Sequence, residues 1–308
     1  MPRISKAISE EIQRAERKLL GLIGNEIDTI TIQSLDIADA AFLGQIVSKL
    51  SPMIGNLLER KIVQLLASED AGHGMDWVRQ DPGFPDALLI EKGSGAPLGA
   101  GFEIKAWYAL STELTGRFRE SQRLLQTKDV RLVVVAWTMS HVVYGKPLIV
   151  DVLSVDALSV AKARDDHYHQ PPRYLTLEPG DTTGRTSNLQ QTNVLGYRLQ
   201  TDDATKIRKA NRLIREHKGA GMDPSSAEAQ ELATTLANSF PYRLDTNFAK
   251  IDRIDHDGIE QFKTRVLNSD FKGRELKAWG RLLKAVAGED EEAKDKAAEI
   301  IASVYPKL

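Results

Sequence analysis

Six residues flanking a glycine-rich turn carry the clearest chemistry in this chain: Pro85-Asp86 before it, and Phe102-Glu103-Ile104-Lys105 after it. Asp86 opens the first strand of an expected hairpin, and Glu103 and Lys105 stand at i and i+2 on the second. In a strand that spacing puts both side chains on one face, with Phe102 and Ile104 on the other. One face is therefore apolar and suited to a core, and the other carries an acid and an amine. Carboxylate oxygens are hard donors that hold divalent cations such as Mg²⁺. Hydrolysis of a phosphodiester needs a water that loses its proton, neutralised charge on the phosphoryl oxygens and a stabilised leaving oxygen, and a carboxylate-bound cation serves all three. Asp86 and Glu103 are the expected metal ligands. Lys105 would orient or help deprotonate the water, or offset phosphate charge.

These residues need elements to position them. The turn Lys92-Gly93-Ser94-Gly95-Ala96-Pro97 separates expected strands Phe84–Glu91 and Gly99–Tyr108. Leu132-Val133-Val134-Val135-Ala136-Trp137 is a continuous β-rich run, as in a strand covered on both faces, and residues 148–155 add another strand. Helical spacing of apolar residues predicts helices over 4–23, within 36–67 and over 112–127, with a short extended piece at 25–33. Gly101 either permits a close backbone approach or marks a bulge. Trp107 and Trp137 are expected in the core, and Trp279 in the core or at an interface.

The expected fold class is α/β, a mixed central sheet flanked by helices, with a mainly helical C-terminal region. Residues 1–200 would form the catalytic domain, including a long polar loop at 164–200, and residues 201–308 a helical accessory region. Helices are predicted over 204–217, 225–238, 258–268, 272–286 and 290–304. The chain of 308 residues has no cysteine, which excludes disulfides and thiolate chemistry. There is no apolar run long enough for a membrane span, and the N-terminus leads into an amphipathic stretch unlike a signal peptide, so a cytoplasmic protein with no membrane partner is expected. A net charge of −2 argues against a uniformly basic coat but permits a basic cleft. Walker-type phosphate loops and nucleophile elbows are absent.

Pro85, Asp86, Glu103 and Lys105 resemble the motif of the PD-(D/E)xK nuclease superfamily, which includes most type II restriction endonucleases and the mismatch-repair nicking endonuclease. Gly55-Asn56-Leu57-Leu58-Glu59 looks like the helix that supplies an extra glutamate near the metal in several of those enzymes, which makes Glu59 a further candidate catalytic and metal-binding residue. The resemblance covers roughly residues 45–155. It implies a restriction-endonuclease-like core and a Mg²⁺-dependent, site-specific cut in double-stranded DNA that leaves 5′-phosphate and 3′-hydroxyl ends. A palindromic site matched by two-fold symmetry implies a homodimer.

Two segments suit DNA contact. In the polar loop, Arg185, Asn188, Gln190, Gln191 and Asn193 are the residue types that read guanine and adenine edges in the major groove. Arg208, Arg212 and Arg215 share one helical face, suited to backbone phosphates. A repair, nicking or junction-resolving nuclease remains an alternative, as does an inert DNA-binding protein built on the same core.

Overall fold

The computed structural model describes residues 6–33, 37–68, 71–80, 83–111, 114, 116–118, 120, 122–168, 176–178, 197–200, 203–216, 242–244 and 250–304. The protein is α/β. Its main sheet has five strands: β1 (Met75–Arg79), β2 (Ala87–Glu91), β3 (Pro97–Tyr108), β4 (Asp129–His141) and β5 (Tyr144–Asp156). They lie in sequence order. β1, β2 and β3 pair antiparallel, β4 lies parallel to β3, and β5 returns antiparallel to β4. The sheet is therefore mixed. β4 is buried along most of its length, with Val133, Val134, Val135 and Trp137 fully covered, as its unbroken apolar run requires.

Two compact units divide the chain: Met1–Gly116, Thr127–Asp156 and Asp257–Leu308 form one, and Arg117–Gln126 with Ala157–His256 the other. The five-stranded sheet is in the first unit. Helix α1 (Lys6–Leu20) buries Ile12, Ala15 and Leu19 on its apolar stripe. Its Glu11 is buried too, and the carboxylate accepts from Trp77 Nε1 at 2.6 Å and from the Arg14 guanidinium at 2.7 Å. Helix α2 (Ile37–Ala67) buries Ile54, Leu58 and Ile62. The extended piece expected at 25–33 joins the sheet through isolated bridges, Glu26 to Leu148 and Ile32 to Gly145.

Several sequence expectations change. The helix expected over 112–127 is confined to α3 (Gln122–Leu125) among the described residues. Leu114, Phe118 and Leu125 are buried as their spacing required, yet burial at that spacing does not need a continuous helix. The buried Arg164 donates to the Phe118 and Glu120 carbonyls at 3.0 Å each, a satisfaction a helix would have supplied internally. β1 is an addition. Its alternation of buried Met75 and Trp77 with half-buried Asp76 and Val78 was readable as a strand. In the second unit, α4 (Ala157–Tyr168) extends into the stretch expected to be a polar loop, and β6 (Thr176–Glu178), β7 (Tyr197–Gln200) and β8 (Tyr242–Leu244) form a three-stranded sheet. Helix α5 (Ala204–Glu216) follows expectation, while the helix expected over 225–238 lies outside the described residues.

The C-terminal region is helical, with α6 (Asp257–Asn268), α7 (Leu276–Val286) and α8 (Glu291–Ala302). α7 starts four residues later than its apolar pattern predicts. Before it, β9 (Asp270–Phe271) and β10 (Arg274–Glu275) pair around Lys272-Gly273, both at positive φ, as a tight two-residue turn requires. These helices cluster with the main sheet and not with residues 201–256, so the contacts divide the chain elsewhere than at the 200/201 boundary drawn from sequence. Trp107 lies against Phe262 of α6 with the rings tilted at 57° and their centroids 6.0 Å apart. Trp279 is fully buried and donates its indole N–H to the Phe271 carbonyl at 2.6 Å, which makes it a core residue.

Candidate active site

Asp86 lies immediately before β2, and Phe84-Pro85 ahead of it is a cis peptide. β2 pairs with β3 so that Ala87 faces Phe102 and Leu88 faces Gly101. Gly101 has to be glycine here. A Cβ on it would collide with the Pro85 ring and come within 2.5 Å of the Ala87 carbonyl oxygen. The close approach seats Asp86 against the middle of β3. Its Oδ2 accepts the backbone N–H of Ile104 at 2.7 Å, which fixes the carboxylate between the two functional positions of β3.

Alternation along β3 does the rest. Phe102 and Ile104 are fully buried, while Glu103 and Lys105 keep partial exposure on the opposite face. Lys105 Nζ lies 3.5 Å from Asp86 Oδ2 and donates a short hydrogen bond to Glu103 Oε1. The structure therefore brings Asp86, Glu103 and Lys105 together. Burial alone pulls the Lys105 ammonium toward neutrality. The charges of Glu103 and Asp86, the hydrogen bond to Glu103 and the more remote charge of Glu59 outweigh it, so the pKa rises above its ordinary 10.5.

Glu59 is placed differently. Helix α2 passes over the strand where Gly55 meets Ala106, with a Cβ on Gly55 falling 3.4 Å from that of Ala106. One turn on, the Glu59 carboxylate pairs with Arg79, Oε1 to Nη2 at 3.7 Å. Its charge also acts on Lys105. Among the described residues, no three carboxylate or imidazole side chains form a group arranged to hold a metal ion.

Arg79 is a residue that sequence reasoning passed over. It ends a strand that was itself not expected, and its signal was the position, two strands from the acid–lysine pair. The Lys128 ammonium lies 5.9 Å from the centre of the Phe84 ring.

The candidate DNA contacts have less structure around them. Arg185, Asn188, Gln190, Gln191 and Asn193 lie outside the described residues. Arg208, Arg212 and Arg215 all fall within α5, and the first two are exposed. Asp203 caps that helix by accepting the backbone N–H groups of Thr205 and Lys206 at 2.8 and 3.3 Å, and these bonds hold its carboxyl below the usual range. No described helix is long and apolar enough to cross a membrane. Comparison with protein-family models, curated proteins and solved structures finds no match to this chain.

Proposed function

We propose that this protein is a Mg²⁺-dependent endonuclease that hydrolyses double-stranded DNA at defined sites, in the manner of a type II restriction enzyme, leaving 5′-phosphate and 3′-hydroxyl ends. One observation carries the reading: Asp86 and Glu103, from adjoining segments of one sheet, meet at the Lys105 ammonium. The element order supports it as well. A helix, an antiparallel three-strand meander and a fourth strand parallel to the third surround the motif, in keeping with the resemblance to PD-(D/E)xK nucleases.

The donors suit the proposed cation. They are hard carboxylate oxygens, and two carboxylates against one ammonium leave a net negative charge for a divalent ion to satisfy. Bound to Asp86 and Glu103, Mg²⁺ would supply Lewis acidity toward the phosphate and a more acidic water. The chain's own groups do the positioning. The Ile104 N–H holds Asp86 in place. Lys105, kept charged by its neighbours, donates hydrogen bonds and offsets phosphate charge. Arg208, Arg212 and Arg215 of α5 would take backbone phosphates, and the 184–193 stretch would read bases. A homodimer presents one such centre to each strand of a palindromic site.

Incubation with a sequenced plasmid and Mg²⁺ tests the reading. Discrete bands with ends at one sequence support it. Nicking without defined bands would favour a repair or junction-resolving enzyme, and duplex binding without any cut an inert DNA-binding protein.

A further inference from the structure

The C-terminal helices belong to the unit that carries the Asp86–Glu103–Lys105 centre, and one of their faces is cationic. Between residues 272 and 284 stand Lys272, Arg274, Lys277, Arg281 and Lys284 against a single carboxylate, Glu275, in a chain whose net charge is −2. Helix α7 buries Leu276, Trp279, Leu283 and Val286. Lys277, Arg281 and Lys284 follow one another at i, i+4 and i+7, so they share a face turned away from that apolar side. Arg274, just ahead of the helix, is exposed, with its guanidinium 5.7 Å from the centre of the Trp279 ring. Glu275 is taken up by Lys277 at 2.9 Å. Among the described residues, no carboxylate pairs with Lys272, Arg281 or Lys284.

Lys272 adds a second observation. It is the first residue of the two-residue turn between β9 and β10, exposed, at φ 52°. Such a turn needs positive φ at both positions and favours Asn, Asp or Gly at the first, so a lysine there costs stability. The fold does not call for that cation, whereas a polyanion does. The N-terminal end of α7 adds the positive pole of its dipole beside Arg274. Past its other end, Glu289, Asp290, Glu291 and Glu292 form an exposed acidic run that repels a polyanion.

We propose that this face, from Lys272 through Arg274 and Lys277 to Arg281, holds backbone phosphates of duplex DNA on the catalytic unit, with Lys284 at its edge toward the acidic run. This rests on the reading of DNA as the substrate and extends it. The helical part, from Lys277 to Lys284, spans about 10 Å, roughly three base pairs at 3.4 Å each. The face supplies affinity and orientation, reads no bases and takes no part in the chemistry. It also gives the C-terminal helices a use beyond packing against the sheet.

Anisotropy of a fluorescent mixed-sequence DNA duplex in Ca²⁺, measured over a range of NaCl concentrations, tests the proposal without any cutting. One phosphate contact contributes about 0.9 to the slope of log affinity against log salt. Lys272→Asn should lower the slope by about that amount and raise the melting temperature, because asparagine suits the turn and carries no charge. Arg281→Gln should lower the slope equally, and Arg281→Lys should keep it. Lys296→Gln removes an exposed charge from α8 and should leave the slope unchanged. An unchanged slope in Lys272→Asn and Arg281→Gln, or an equal fall in Lys296→Gln, overturns the proposal. A Lys272→Asn protein that melts no higher than wild type removes the case for strain and counts against it. If wild type cuts plasmid in Mg²⁺ while these slopes stay put, the nuclease reading stands and this face is not its DNA surface. A wild-type protein that binds no duplex overturns both. A single-stranded RNA that outcompetes the duplex, with the same response to both variants, assigns the face to another polyanion and also overturns the proposal.

Discussion

At the scale of single residues, Asp86 has two duties that can be separated. Its charge belongs to the proposed hydrolytic centre, and its Oδ2 satisfies the buried Ile104 N–H. Asp86→Ala removes both and should cost about 1–3 kcal/mol of stability, the penalty of an orphaned buried donor. Asp86→Asn keeps an acceptor and should cost less than half as much, and urea unfolding of the two variants measures the difference. Lys105 allows a pH argument. Its folded pKa lies above the ordinary 10.5, so its contribution to stability is complete below that value and is lost only as pH climbs through the raised one. The stability gap between wild type and Lys105→Met should therefore stay flat from about pH 6 to 9 and narrow above about pH 10.5. A gap that changes between pH 6 and 9 would show the lysine titrating there and would undo its assignment as a fixed cation. The Asp86, Glu103 and Lys105 juxtaposition was legible because β alternation is a strict rule, and only one strand pairing was needed to close it. Glu59 was less legible. Helical spacing placed it at the edge of α2 but could not foretell that Arg79, on an unanticipated strand, would hold it.

At the scale of elements, the β2–β3 approach and the α2–β3 approach both depend on glycine, but to different degrees. Gly101 has no room for a Cβ between Pro85 and the Ala87 carbonyl, whereas Gly55 leaves an ordinary contact of 3.4 Å with Ala106. Gly101→Ala should destabilise by about 1–3 kcal/mol through overpacking. Because it shifts Pro85-Asp86, it should also lower activity further than the loss of stability explains. Gly55→Ala should be close to neutral, since the helix regains up to about 1 kcal/mol of propensity against a slightly tighter contact. Chemical denaturation of both variants distinguishes the two approaches. The central strands were readable from composition, because β4 is apolar without a break and β3 alternates. The segment before α3 was not. Its buried Leu114 and Phe118 imitate helical spacing, while the carbonyls of Phe118 and Glu120 are satisfied from a distant guanidinium, Arg164. Local periodicity carries no trace of such a partner. The start of α7 was also misplaced, because the Lys272-Gly273 turn sits inside an otherwise helical pattern.

At the scale of the whole molecule, the C-terminal helices are part of the sheet's own unit. Gly280 of α7 would place a Cβ 3.2 Å from the Leu110 carbonyl just beyond β3, and Phe262 of α6 lies against Trp107. Removing residues 257–308 should therefore abolish cooperative thermal unfolding of the remaining chain. A truncated protein that melts like wild type would show these helices to be dispensable. No periodicity rule revealed this, since packing between distant segments leaves no local pattern. The proposed two-strand cut also predicts a particle of twice the 34.1 kDa chain mass by light scattering. The most direct test of the shared Asp86–Glu103–Lys105 centre is the cutting rate of a sequenced plasmid in Mg²⁺, measured side by side for wild type and Asp86→Asn. Wild type should give discrete fragments with 5′-phosphate ends. Asp86→Asn, still folded, should cut at least about a thousandfold more slowly, as the loss of several kcal/mol of transition-state stabilisation requires. Equal cutting by the two proteins, or no cutting by the wild type, would contradict the account.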